Sequence, residues 1–416
     1  MIGSDHWFAG ARFGMFVHWG PASIHGRELS WPLVGGNPVL PYAHPTPVET
    51  YYADHLRFRP ERGAARAWMA AARRAGMRYA VLTTKHHDGF ALWPTNRFSI
   101  ADTDYDGDLV REFADAARAE GLRVGFYFSL PDWRHPDYPA FTDADQPYMR
   151  WTAHRGDAVA WERYLADMSA QLTELLTRYG RIDLLWFDGG WERRAHEWRT
   201  TELETMIRGL QPDIIINDRL PGGGDYATPE QLAPATPPDG PWETCLTMNR
   251  TWGWCPQDDE WKSARDLVHT LCQVASGGGN LLLNVSPMGD GALPAPQRER
   301  LDAIAGWMAR HADAIHDTTP GIAPWQFYGP STRKGERVFL HCVMRPYDTV
   351  TVRGVPIRRV RSVRAVGTDQ ALDFTTRAAA LDELLNRDPP GELVIRVPAG
   401  CIDDLATVLA LDIAPE

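Results

Sequence analysis

Several polar residues fall where apolar runs end. His18 lies near the close of Phe13–Trp19 (FGMFVHW), and Lys85-His86-His87-Asp88 follows Arg78–Thr84 (RYAVLTT). Asp188 closes Ile182–Asp188 (IDLLWFD) and precedes Gly189-Gly190-Trp191; Arg219 follows Asp213–Asp218 (DIIIND). A carboxylate closing an apolar strand costs stability unless it is solvated or paired, so Asp188 is either a catalyst or a cap for the next turn. The two glycines beside it leave room for another group to approach. His86 and His87 are adjacent, so on an extended segment they point to opposite sides and chelate a metal poorly. Their imidazoles suit hydroxyl groups better. Arg219 can hold a carboxylate ionised, bond a ligand oxygen, or form a structural ion pair. Carboxylates, imidazoles and indoles on one face are the residue types that hydrolysis of a sugar acetal needs: one carboxylate at the reacting carbon, a second acid at the leaving oxygen. No Gly-x-Ser-x-Gly elbow is present, and no cysteine has an activated setting.

Composition narrows the classes. The 416 residues suffice for a large catalytic domain and one small module. A net charge of −11 disfavours nucleic acid and anionic lipid as partners. The five cysteines (Cys245, Cys255, Cys272, Cys342, Cys401) are odd in number and lack CxxC spacing, which argues against a disulfide framework or zinc cluster. Residues 1–12 contain no apolar run, and no stretch is long enough to span a membrane. A reducing, cytoplasmic location is the expectation. Seventeen tryptophans, many beside Gly, Pro and polar residues, fit the C–H faces of sugars, although large aromatics also serve cores.

Strand-like and helix-like segments alternate to about residue 318. The strands are the runs above with Leu122–Ser129, Thr244–Asn249 and Asn280–Val285; helices are expected at Glu61–Ala75, Asp108–Glu120, Asp157–Tyr179, Lys262–Ala275 and Gln297–Ala314. In Asp157–Tyr179 the apolar residues recur at spacings of three and four. This alternation predicts a (β/α) TIM-like barrel over 1–318, with the polar strand ends on one face. No GxGxxG follows the first strand and no Walker loop occurs, which disfavours an open nucleotide-binding sheet. After residue 318 short runs at Arg337–Met344, Thr349–Arg353, Glu392–Val397 and Thr407–Ile413 predict an antiparallel β-sandwich over 319–416.

The chain resembles glycoside hydrolase family 29, the α-L-fucosidases. The likeness rests on Trp7-Phe8, Phe13-Gly14-Met15-Phe16-Val17-His18-Trp19-Gly20, Thr84-Lys85-His86-His87-Asp88-Gly89-Phe90 with Leu92-Trp93, and Gly125-Phe126-Tyr127-Phe128-Ser129. It continues through Leu185-Trp186-Phe187-Asp188-Gly189-Gly190, Asn217-Asp218-Arg219, and Gly278-Gly279-Asn280-Leu281-Leu282-Leu283-Asn284-Val285. The resemblance implies a retaining, exo-acting enzyme that forms a covalent fucosyl intermediate on Asp188. It implies a fucosylated glycoside as partner and calls for neither cofactor nor metal. It further implies sugar contacts from His18, His86, His87, Tyr127, Trp186 and Arg219. Glu28 matches a further sugar-binding acid, although Gly26–Pro32 departs from the family pattern. Phe16 and Trp252 are candidates for the pocket around the C6 methyl. The acid/base falls in a variable loop: Glu230 is the choice, Glu243 the runner-up that is alternatively a buried structural partner, and Asp225 third.

Three other readings compete. The same fold could act on another α-L-glycoside, such as an α-L-galactoside. It could bind sugar without catalysis, or use His86, His87 and Asp88 in a metal-dependent hydrolysis. Linkage preference is open, and a homo-oligomer is compatible with the sequence.

Overall fold

The computed structural model describes residues 2–3, 5–36, 40–138 and 157–415. Its N-terminal part is built on a parallel sheet of seven strands: β1 (Phe13–Val17), β2 (Tyr79–Lys85), β3 (Arg123–Ser129), β4 (Leu184–Asp188), β5 (Ile215–Ile216), β6 (Glu243–Thr247) and β7 (Asn280–Val285). The strand order is β5-β4-β3-β2-β1-β7-β6. β1, β2, β4, β6 and β7 are buried at every residue because both faces are covered, and except in β6 (ETCLT) the runs are mainly apolar rather than alternating. The edge strands β5 and β6 do not pair with each other. The segment 226–230 lies between them and makes isolated parallel bridges, Asn217 to Tyr226, Ala227 to Trp242 and Glu230 to Cys245.

Helices run at Ala64–Arg74, Leu109–Ala119, Ala158–Arg178, Ala264–Ser276 and Ala295–His311, close to the predicted segments. Their starts have chemical causes. The Asp108 carboxylate accepts from Arg111 N at 2.9 Å, and that of Asp157 from Ala160 N at 2.8 Å. At Ser263 a reciprocal capping box forms with Asp266. A helix at Thr200–Leu210 escaped prediction; it buries only Thr200, Leu203 and Ile207, so its periodic signal is thin. The predicted fifth strand contracts to two residues. Asn217 turns its side chain onto Phe187 of β4, and Asp218 N pairs with Tyr226 instead of continuing the ladder.

Beyond residue 318 the chain forms two antiparallel sheets. One contains β8 (Thr319–Pro320), β9 (Ser331–Lys334), β10 (Arg337–Cys342), β12 (Val360–Ala365), β13 (Gln370–Ala371) and β16 (Thr407–Ile413). The other contains β11 (Thr349–Pro356), β14 (Phe374–Arg377) and β15 (Pro390–Arg396). Val338, Leu340 and Leu409 of the first sheet share a core with Val350, Val352, Leu393 and Ile395 of the second. Phe339, Val408 and Ala410 belong instead to the main core. Polar joints reinforce that junction: Trp307 Nε1 donates to Ala406 O at 2.9 Å, and His269 bonds Leu405 O at 2.8 Å.

Candidate active site

The C-terminal ends of the parallel strands gather the polar residues, as expected for chemistry on this type of sheet. Asp188 is the last residue of β4 and pairs in register with Ser129 of β3. Its side chain is buried but reachable, with 8% of the residue exposed. Tyr127 OH donates to Oδ2 at 2.9 Å, and Arg219 Nη1 donates to Oδ1 at 3.1 Å. Gly189 follows with φ +77°, and a Cβ there would lie 2.3 Å from Pro131 Cδ, so this turn needs glycine.

Arg219 reaches further. Its Nη2 donates to Glu230 Oε2 at 2.6 Å, so one guanidinium holds both carboxylates. The arginine lies over the Trp186 ring, 4.6 Å from its centroid. Burial lowers the guanidinium pKa, yet the anionic neighbours, Asp188 foremost, raise it overall. Glu230 has 37% of its side chain exposed, an acid facing an open approach.

His86 and His87 do not point to opposite sides. Their ring centroids are 4.2 Å apart, because β2 ends at Lys85 and the chain turns at His87 and Asp88. A register shift between β2 and β3 at Thr83 and Lys85 precedes the turn. The alternation that made them a poor chelate therefore stops one residue too early. His86, His87 and Asp188 bring ligand atoms within 4.8 Å of one another. A cation there would compete with Arg219 and Tyr127 for the same carboxylate oxygens. Asp88, proposed as a metal ligand, turns away: it accepts from Tyr51 OH at 2.9 Å and contacts His55 Nε2 at 3.1 Å.

Each imidazole is held from behind. His18 Nδ1 bonds Asn284 Oδ1 at 2.7 Å, His86 Nδ1 bonds Ser30 Oγ at 2.6 Å, and His87 Nδ1 bonds Ser129 Oγ at 2.6 Å. Burial pushes all three pKa values down to about 3, so the rings are neutral at ordinary pH. Ser30, Ser129 and Asn284 went unassigned in the sequence. The signal was present for two of them: Ser129 and Asn284 sit at or beside the ends of apolar strands, as Asp188 does.

Aromatic rings wall the site. Tyr127 stacks on Trp186 at 5.6 Å and 17°, and on His86 at 5.6 Å and 5°. Phe16 packs 5.1 Å from Trp186 and 6.2 Å from Trp252, while His18 lies 5.0 Å from Trp252. Glu28 is buried, and its oxygens are already engaged: Oε1 accepts from Trp252 N at 2.7 Å and Oε2 from Gly253 N at 2.9 Å. Burial raises its pKa to about 8 against those two bonds. Its visible task is to anchor the Trp252 loop.

The runner-up acids lie elsewhere. Glu243 opens β6, is fully buried, and accepts from Trp186 Nε1 at 3.1 Å and from Tyr79 OH. Burial raises its pKa to about 7. It supports the Trp186 ring from below, the structural alternative. Asp225 pairs with Arg208 at 2.9 Å and accepts from Ile216 N, behind the sheet end.

A family model described as alpha-L-fucosidase matches residues 3–313. The chain belongs to the α-L-fucosidase family. It is 31% identical to the tissue alpha-L-fucosidase of Homo sapiens over 368 residues, spanning 80% of this chain and 75% of the relative. Alpha-L-fucosidase isoenzyme 1 from Paenibacillus thiaminolyticus superposes with a TM-score of 0.85 at 35% identity, covering 98% of both chains. A second α-L-fucosidase, a GH29 protein of Bacteroides thetaiotaomicron, was solved as a trapped covalent intermediate with 2-fluoro-fucosyl fluoride. It has a TM-score of 0.80 and 25% identity, covering 97% of this chain and 94% of the other.

Proposed function

We propose that this family member hydrolyses terminal α-L-fucosides with retention, Asp188 acting as nucleophile and Glu230 as acid/base. One observation carries the pairing: a single guanidinium, Arg219, bonds both carboxylates. Two carboxylates within reach of one fork fit the close spacing, about 5–5.5 Å, that double displacement uses; inversion needs a wider gap that admits water. Asp188 attacks the anomeric carbon while Glu230 gives its proton to the glycosidic oxygen. Glu230 then takes a proton from water, which releases the sugar from Asp188. The Tyr127 hydroxyl and Arg219 keep the Asp188 oxygens aimed. His18, His86 and His87 are the hydroxyl partners. Phe16 and Trp252 supply the apolar surface for the C6 methyl, a preference over the galactose analogue worth about 1–3 kcal/mol.

The isolated bridges of 226–230 support reading that segment as the eighth stave of a closed barrel, which would place Glu230 on the ring beside Arg219. The shared core of the two C-terminal sheets supports a β-sandwich over 319–416 that packs on a catalytic unit over 1–318. The test is hydrolysis of an aryl α-L-fucoside followed by proton NMR. The first-formed sugar should be the α-anomer. A β-anomer formed first would overturn double displacement, and turnover only of α-L-galactosides would overturn the substrate.

A further inference from the structure

Ser129 has one hydroxyl proton, and the geometry allots it. Ser129 Oγ lies 2.6 Å from Pro131 O, a carbonyl that can only accept, so the serine donates there. Toward His87 Nδ1, also 2.6 Å away, the same oxygen must accept, and His87 must carry its proton on Nδ1. The opposite ring nitrogen, Nε2, then presents a bare lone pair. It is fully buried and has no hydrogen-bond partner among the described residues. Trp31 and Trp133 pack on this ring at 5.6 and 4.9 Å, so it cannot swing to another partner without displacing them.

Across from Nε2, 3.6 Å away, is Asp188 Oδ2. That oxygen is an acceptor too, and the nearest donor, Tyr127 OH, is already committed to it. Two acceptors face each other with no proton between them, an arrangement that is unfavourable until a donor arrives. A group that reaches both atoms while Asp188 attacks the anomeric carbon must sit on the ring carbon next to it.

We propose that Ser129 is a positioning residue that fixes the His87 tautomer, so that Nε2 accepts a hydrogen bond from the sugar hydroxyl vicinal to the anomeric carbon. This rests on the fucosidase reading for its ligand but not for its tautomer. It makes the site selective for a free hydroxyl donor at that carbon. Deoxygenation removes the donor, and O-methylation removes the proton.

Nitrogen-15 imidazole NMR of the full chain tests this directly, with the His87 signals assigned by their loss in His87→Gln. The unliganded protein should show a protonated Nδ1 and an unprotonated Nε2. Added L-fucose should shift the Nε2 resonance, and 2-deoxy-L-fucose should not. A proton on Nε2, or equal shifts with both sugars, overturns the proposal. Kinetics provide an independent arm. Ser129→Ala should lower kcat/KM for an aryl α-L-fucoside by about tenfold or more, and for its 2-deoxy counterpart much less. Ser129→Thr, which keeps the accepting oxygen, should recover most of the loss. An equal fall for both substrates would mark Ser129 as merely structural. A wild-type chain that turns over no fucoside would overturn the functional reading, while the NMR measurement still decides the tautomer.

Discussion

Arg219 and Asp188 are joined by an Nη1–Oδ1 contact of 3.1 Å, and the other arm of the same guanidinium holds Glu230 at 2.6 Å. The proposed nucleophile and the proposed acid/base therefore share one fixed positive charge. Lysine cannot reproduce this, because a compact ammonium on a flexible stem lacks the planar fork. Arg219→Lys should reduce kcat/KM by about a hundredfold, an amount typical of losing one preorganised charge contact. Both limbs of the pH–rate profile should move together. A change in only one limb would mean that the two carboxylates are not coupled through Arg219.

Asp188→Ala should remove nearly all turnover, by about 10⁴-fold or more. Azide fits the space left by the carboxylate and should restore part of the rate with an activated aryl fucoside. The sugar azide formed should have the configuration opposite to the substrate, since one displacement replaces two. Wild-type-like turnover in the variant would remove Asp188 from the mechanism.

Glu230 and Glu243 should separate cleanly. Glu230→Gln should slow substrates with poor leaving groups far more than those with good ones, because only the former need a proton. Glu243→Ala should act differently. It leaves Trp186 Nε1 and Tyr79 OH without their buried acceptor, which costs about 1–3 kcal/mol for each unsatisfied group. Urea unfolding should show that loss, and the leaving-group dependence should stay as in the wild type.

Glu28→Ala should loosen the wall that Trp252 provides. The Trp252 and Gly253 amides would lose their buried acceptor, again about 1–3 kcal/mol each. The ratio of kcat/KM for fucoside over α-L-galactoside should narrow. An unchanged ratio with intact stability would show that Glu28 does not set the loop.

Stability should fall on the acid side. His18, His86 and His87 are neutral when folded, with pKa values lowered to about 3 by burial, against an ordinary 6.5 unfolded. Below pH 6.5 the unfolded chain binds protons that the folded chain refuses. The contribution of each ring is therefore complete above 6.5 and is lost as pH falls toward 3, at about 1.4 kcal/mol per pH unit. Urea unfolding between pH 7 and 4 measures the slope. His18→Asn should make it shallower by one proton; an unaltered slope would mean His18 is already charged in the fold.

The site was only partly readable in the sequence, and the boundary follows residue by residue. Asp188, His18 and Arg219 were visible because packing alone rarely puts a polar residue at the end of an apolar strand. The strands themselves were legible for a related reason, since runs buried on both faces have an unbroken apolar pattern. Asp108 and Asp157 marked helix starts because a cap is a local bond between near neighbours.

Other features depended on contacts between distant parts of the chain. The surroundings of Glu230 and Glu243 have no local signature: Glu230 ends beside Arg219 because 226–230 seats between β5 and β6, and Glu243 ends against Trp186 because it opens β6. Glu28 matched a sugar-binding acid only through the family resemblance; that it anchors a loop 224 residues away became visible in the fold. The common facing of His86 and His87 came from where β2 stops, a boundary that sequence periodicity resolves only to a few residues. Sequence determined which residue types stood ready at the strand ends. Tertiary structure decided their partners, because burial and hydrogen bonding between remote segments set each side chain's direction and charge.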